Sequence, residues 1–239
     1  MSQPGSAEVG DAVDTVGSVD FHFDVMCPWA YQTSKWIREV SRLSGLRVNW
    51  RFFSLEEVNR REGKKHPWER HWSYGWSMMR IGARLRRMEG EGGRALDAWY
   101  ERAGRALHEE GRKPHRKEVA EELMSELGFD PSLVDEALAD PTTSDEVMAD
   151  HRRVLELGGF GVPTLVFGGD TAIFGPVVTP APTGPAALRL WDLTVGWTEF
   201  PHLYEMRRPK TAADMEHIAD QFATYFAARD WVTISNPVA

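Results

Sequence analysis

The chain is short of sulfhydryl groups: among 239 residues it has one cysteine, Cys27. One thiol cannot form an internal disulfide, which excludes a disulfide-stapled scaffold and points to a reducing compartment, the cytoplasm. Basic excess is also missing. The formal net charge is -8 and the sequence pI is near 5.5. Nucleic acid and anionic membrane both select a basic surface, so neither is expected as a partner. No apolar run approaches the roughly 20 residues of a membrane span. The opening residues, MSQPGSAEVGDAVDTVGS, have neither a basic start nor an apolar core, so they do not read as an export signal. Their Ser, Gly and Asp content reads as a disordered tail over 1–17. There is no P-loop and no G-x-S-x-G elbow. GGFGVP follows a helical pattern and precedes a proline, which is not the setting of a dinucleotide fingerprint.

What the chain does have is aromatic mass, with 10 Trp. These rings either pack a core or meet a flat ligand. SVDFHFDVM alternates, placing Val19, Phe21, Phe23 and Val25 on one face of a strand, expected to be central. Cys27-Pro28-Trp29 follows at once, and Trp36, Ile37, Val40 and Leu43 continue as a helical stripe that Gly45 ends. LRVNWRFFSL is a second strand. The order strand–helix–strand implies a crossover and parallel pairing.

From about 56 to 158 strand signals vanish. Helices are expected over about 67–89, 93–110, 115–128, 131–139 and 142–157, with Thr143 or Ser144 capping the last. Strand character returns at Pro163–Phe167. Gly168-Gly169-Asp170 is a hairpin turn, Thr171–Phe174 the returning strand, and APTGPAALRLWDLTVGW a helix. The expected fold is α/β, thioredoxin-like, with an inserted all-helical domain. The corresponding boundaries are 18–55 and 156–210 for the thioredoxin-like part, 56–155 for the insertion and 211–239 for a C-terminal helical extension. In that extension Met215, Ile218, Phe222, Tyr225 and Phe226 mark an amphipathic helix that packs on the body or on a second subunit, a possible homodimer.

Cys27 stands where a strand ends and a helix begins. Pro28 starts the helix, and the unpaired N–H groups of the first turn at Trp29 and Ala30, with the positive end of the helix dipole, favour an anion. The thiolate is therefore expected to be stabilised by Pro28, Trp29 and Ala30, and the pKa to fall below the free value of about 8.5. The competing reading is a small buried apolar residue. The second piece is Val162-Pro163-Thr164. A trans proline opening a strand is the ordinary reading. In a thioredoxin fold the proline before the hairpin is cis and faces the cysteine, turning the Val162 backbone outward to pair with a thiol ligand. Cis is therefore expected here.

Cys27-Pro28-Trp29, the helical insert, Val162-Pro163-Thr164, FGPV at Phe174–Val177 and LWDLTV…PHLYEMRR from Leu190 to Arg208 resemble the actinobacterial mycothiol-dependent nitroreductase family, within the wider DsbA-like thioredoxin-fold group. The resemblance spans about residues 19–208. It implies reduction of nitro-aromatic compounds with mycothiol, Cys27 as nucleophile and Pro163 as the cis-proline. The family's usual motif is C-P-W-C, but this chain has Ala30 where the resolving cysteine would stand. The helix after Asp214 lies beyond the family's usual end.

With one sulfur, a monothiol cycle through a mixed disulfide with mycothiol or another low-molecular-weight thiol stays open. A kappa-class glutathione-transferase or isomerase-like enzyme, which activates a bound thiol without oxidising it, is the second reading. A redox-inert ligand-binding protein on the same fold is the third. No cofactor is expected to be bound permanently, and the partners are a small thiol and a small aromatic or nitro-aromatic acceptor. Trp68, Trp72 and Trp76 are spaced i, i+4, i+8 and pack the insert or wall a substrate pocket, which Tyr31 could join. Arg80, Arg84 and Arg87 share a face, read as solvated or as an anion clamp. His66 and His71 are five apart, a poor spacing for two ligands on one helix. The other histidines are scattered with no acid or thiol to complete a set, so no metal is expected.

Overall fold

A computed structural model describes residues 17–230, with the exception of 89 and 91. The tail before Gly17 and the last part of the C-terminal extension lie outside the described residues.

β1 (Ser18–Phe23) leads through a short turn into α1 (Pro28–Ser44), and β2 (Arg47–Phe52) returns parallel to β1. Gly45 ends α1 in the left-handed region, φ 77°, where its N–H reaches Ser41 O; a side chain there would crowd its own backbone. Between β2 and β3 the described residues hold helices and no strand: α2 (Leu55–Val58), α3 (Tyr74–Arg86), α4 (Gly92–His108), α5 (Lys117–Glu126), α6 (Leu133–Ala139) and α7 (Pro141–Glu156), with a 3-10 turn at Pro67–Glu69. Then come β3 (Thr164–Phe167), β4 (Thr171–Phe174) and α8 (Gly184–Trp197), followed by α9 (Ala212–Gln221) and α10 (Ala223–Ala228).

The sheet order is β2-β1-β3-β4, with β3 antiparallel to both neighbours. β1 is therefore central, as its alternation predicts. Val19, Phe21, Phe23 and Val25 are all buried. The Phe23 ring stacks on Tyr100 from α4 at 3.7 Å, which ties the helical block to the sheet. α8 packs against α1 and β3: the Trp36 indole donates to Ala187 O at 2.9 Å, and the Trp191 ring lies 6.2 Å from Trp36 and 5.8 Å from Phe167. Trp36, Trp76, Trp99 and Trp191 are fully buried, so much of the Trp content is core.

Several local expectations change. The helix expected over 67–89 starts only at Tyr74, because Pro67–Glu69 is a separate 3-10 turn, and a short helix, α2, precedes both. Trp68 and Trp76 thus share no helix, although their rings meet at 5.3 Å. α7 is capped by Asp140, whose carboxylate accepts from Thr142 N–H, with Pro141 in the first turn; Thr143 and Ser144 are already helical. Proline needs no N–H partner there, which shifts the start back. Arg80 is neither solvated nor an anion clamp. It is buried, and its guanidinium donates to Thr143 Oγ1 and to the carbonyls of Ala137, Leu138 and Asp140 at 2.9–3.0 Å. Arg84 and Arg87 pair with Glu136 and with Asp140 and Glu146. The C-terminal amphipathic stretch breaks into α9 and α10 at Phe222.

Candidate active site at the β1–α1 turn

The turn that delivers Cys27 is built on Asp24. Its carboxylate accepts Met26 N–H at 2.9 Å and Leu55 N–H at 2.8 Å, and its carbonyl accepts Cys27 N–H at 3.0 Å. These bonds hold Cys27 at the N-cap of α1, φ −89°, ψ 112°. There its sulfur accepts Ala30 N–H at 3.4 Å, one of the donors a helix start leaves unpaired. Pro28 has no N–H to satisfy.

The second wall of the site is the loop before β3. The Val162-Pro163 bond is cis, as expected, and the Cys27 thiol donates to Val162 O at 3.6 Å. Pro163 O accepts Gly175 N–H at 2.9 Å, and the Thr164 hydroxyl donates to Gly161 O at 2.7 Å, so both flanks of the loop are tied down. Gly175-Pro176 is also cis, and Pro176 O accepts the Thr33 hydroxyl at 2.7 Å.

The thiol itself departs from expectation. Cys27 is only 5% exposed. Burial pushes its pKa up to about 12; the Ala30 and Trp29 N–H groups pull it down, and the Asp24 charge adds to the rise. The helix-start stabilisation is present, but desolvation outweighs it in this conformation. The sulfur is not sealed on all sides by hydrocarbon, because the Val162 carbonyl faces it.

Two further buried groups lie close by. Burial raises Asp24 to about 7. Burial lowers His108 to about 4, while its Nε2 bonds Val25 O at 2.8 Å. Neither was picked out from the sequence. Asp24 had a usable signal, as an acid ending an apolar strand three residues before the cysteine. His108 had none, because α4 brings it in from afar.

A cleft of about 950 Å³ opens beside the turn. Trp29 and Val162 form its inner end; Phe160, Phe174, Trp197, Phe200 and Tyr204 line its walls, and Asp214, His217 and Ile218 of α9 close it. The expected pocket residues are elsewhere. Tyr31 is buried, donates to Glu109 Oε1 at 2.8 Å and stacks on His108. Trp72 donates to His115 O at 2.7 Å, Trp76 to Ser144 Oγ at 3.1 Å, and Trp68 stacks on His66 at 4.2 Å. These indoles serve the packing of the helical block. The cleft belongs to the hairpin and to the chain after α8, whose apolar residues carry no helical or strand period to announce them. Among the described residues no three His, Cys, Asp or Glu side chains gather as a metal site, and no helix is long and apolar enough to cross a membrane.

The order and pairing of the strands, the helices inserted after β2, and a cysteine capping α1 opposite a cis-proline define a DsbA-like thioredoxin-fold protein. Solved structures agree on the fold. The chain resembles a 2-hydroxychromene-2-carboxylate isomerase at TM-score 0.55, with 18% identity over 76% of this chain and 95% of that one. It resembles the cytosolic disulfide reductase DsbM from Pseudomonas aeruginosa, solved with GSH, at TM-score 0.54, with 16% identity over 75% and 99%. In sequence it is 55% identical over 218 residues to the uncharacterized protein Rv2286c of Mycobacterium tuberculosis, covering 91% of this chain and 93% of that protein. The chain belongs to the Rv2466c-like family of mycothiol-dependent nitroreductases, whose model matches residues 26–208. Its class is therefore that of the thiol-dependent oxidoreductases.

Proposed function

We propose that the protein reduces a small aromatic acceptor, of the nitro-aromatic class, at the expense of mycothiol or a related small thiol, in a monothiol cycle at Cys27. The observation that carries this reading is the sulfur at the start of α1, within 3.6 Å of the carbonyl that precedes a cis-proline, with Ala30 in place of a second sulfur. Val162, Pro163 and Thr164 hold the small thiol as a short strand beside the sulfur. Trp29, Phe174, Trp197 and Phe200 supply flat apolar walls for the acceptor.

The electrons balance without a second protein cysteine. Cys27–SH and one thiol R–SH together give two electrons and two protons to Ar–NO2, leaving Ar–NO, water and the mixed disulfide Cys27–S–S–R. A second thiolate, RS⁻, attacks that disulfide at the R-side sulfur, releases R–S–S–R and returns the Cys27 thiolate. A reducing cytoplasm would supply R–SH.

A second reading draws on the burial of the thiol. A Cys27 raised to about 12 is neutral at physiological pH and donates to Val162 O. Such a group could orient a bound small thiol without being oxidised, as an isomerase or transferase requires. Incubation with mycothiol and a nitro-aromatic, followed by intact-mass analysis, separates the two. A Cys27–mycothiol adduct together with consumption of the nitro group supports the oxidoreductase. Turnover of the acceptor with no disulfide formed supports the isomerase- or transferase-like route, and a Cys27→Ser variant with full reductase activity removes the monothiol cycle.

A further inference from the structure

α9 and α10 lie beyond residues 26–208, the part matched by the family model, yet the chain they form packs on Trp29 and His108, next to the β1–α1 turn that carries Cys27. The Phe222 ring is buried against Trp29, centroids 4.8 Å apart at 89°. Tyr225 is buried next to His108, ring centroids 5.1 Å apart, and burial first, then the Cys27 charge, pushes its phenol pKa up. Ala228 completes the face. These are the only buried side chains among the described residues from Thr211 onward; all others there are exposed or half-exposed. Asp230 pins the far end through Lys113 at 2.8 Å, His115 at 2.6 Å and Arg116 at 2.8 Å. The near end is fed by residues 203–211, which have no regular secondary structure and are almost entirely exposed.

This is a unit with a small buried footprint, a loose hinge on one side and an ionic latch on the other. Segments built so open at lower free energy than the core they rest on. The sulfur beneath is shut off: Trp29 and Val162 line the cleft, but Cys27 does not.

We infer that α9–α10 is a lid over Cys27, hinged at residues 203–211 and latched by Asp230, and that the thiol meets reagents when this lid lifts. In the lifted state Phe222 and Tyr225 leave the site. The first-turn N–H groups of α1 remain, so the desolvation that holds the thiol neutral falls away while the anion-stabilising donors persist.

The test uses the full chain and the neutral reagent iodoacetamide, with Asp230→Ala removing the latch and Phe222→Ala removing the ring on Trp29. Cys27 labelling is expected to rise about 10-fold or more in both variants, with faster amide exchange over residues 212–228 and unchanged exchange in β1 and β3. Labelling equal to wild type in both variants overturns the lid. So does labelling that rises only in step with exchange of the sheet, since that reports global opening. The readout needs no cosubstrate. Faster labelling combined with a fully active Cys27→Ser variant would leave the lid standing and remove the proposed catalytic cycle.

Discussion

The Cys27 thiol lies 3.6 Å from the carbonyl oxygen of Val162, while Ala30 N–H reaches the same sulfur at 3.4 Å. One contact suits a protonated thiol that donates, and the other suits a thiolate that accepts. The buried setting selects the first. In the native chain, alkylation of Cys27 is therefore expected to be slow at neutral pH and to keep rising as the pH climbs past 9, because only the thiolate reacts. In denaturant the same thiol should label on the order of 100-fold faster at about pH 8. A native half-reaction well below pH 8 would contradict the burial account.

Ala30 occupies the first-turn position beside the sulfur, with its side chain fully buried. An Ala30→Cys variant should acquire an internal disulfide with Cys27 under mild oxidant. On oxidation the variant's intact mass would drop by two hydrogens and its free-thiol count would fall from two to zero. Any mixed disulfide at Cys27 should become short-lived, because the new thiol resolves it. A stable small-thiol adduct in this variant would place the two sulfurs out of reach of each other.

Asp24 gives a pH signature. Its carboxyl is raised to about 7 by burial, so between the ordinary carboxylate range and that value the native chain keeps a proton that the unfolded chain has lost. This contribution to stability is complete at low pH and is lost as the pH rises toward 7, by at most about 4 kcal/mol. His108, lowered to about 4, works in the opposite direction between about 4 and its ordinary range, so the wild-type profile is a sum. Asp24→Asn isolates the first part. It cannot titrate, and its amide nitrogen cannot accept the N–H of Met26 or Leu55 that it faces. Urea midpoints should show it less stable than wild type at about pH 5, with the gap narrowing by about pH 8.

The helical block rests on Arg80. Three carbonyls at the end of α6 and before α7 share its guanidinium. Arg80→Ala leaves them without this partner in a buried place, and chemical denaturation should report a loss of about 3 kcal/mol. A loss under about 1 kcal/mol would mean that water replaces the guanidinium.

Phe174 is half-exposed on the cleft wall, its ring 4.7 Å from Phe160. Phe174→Ala should raise KM for an aromatic acceptor by about 2- to 10-fold and leave kcat nearly unchanged, since a stacking wall binds ground and transition states alike. Equal loss in kcat would place this ring at the reacting centre.

Much of this molecule follows from local pattern. The alternation of Val19, Phe21 and Phe23 suffices for a central strand, Gly45 for a helix stop, and Gly168-Gly169-Asp170 for a hairpin. Cys27-Pro28 ahead of a helical stripe suffices for a sulfur at an N-cap, because capping is a matter of adjacent residues. The family resemblance was carried by motifs equally short in span. Tertiary structure alone decided how that sulfur behaves. Its pKa is raised first by burial, and the burial around the β1–α1 turn is built by residues from far along the chain: Phe222 packs on Trp29, Tyr225 on His108 of α4, and the Val162 carbonyl faces the sulfur. Desolvation is a sum over whatever packs against an atom from every direction, and no spacing along the sequence encodes that sum.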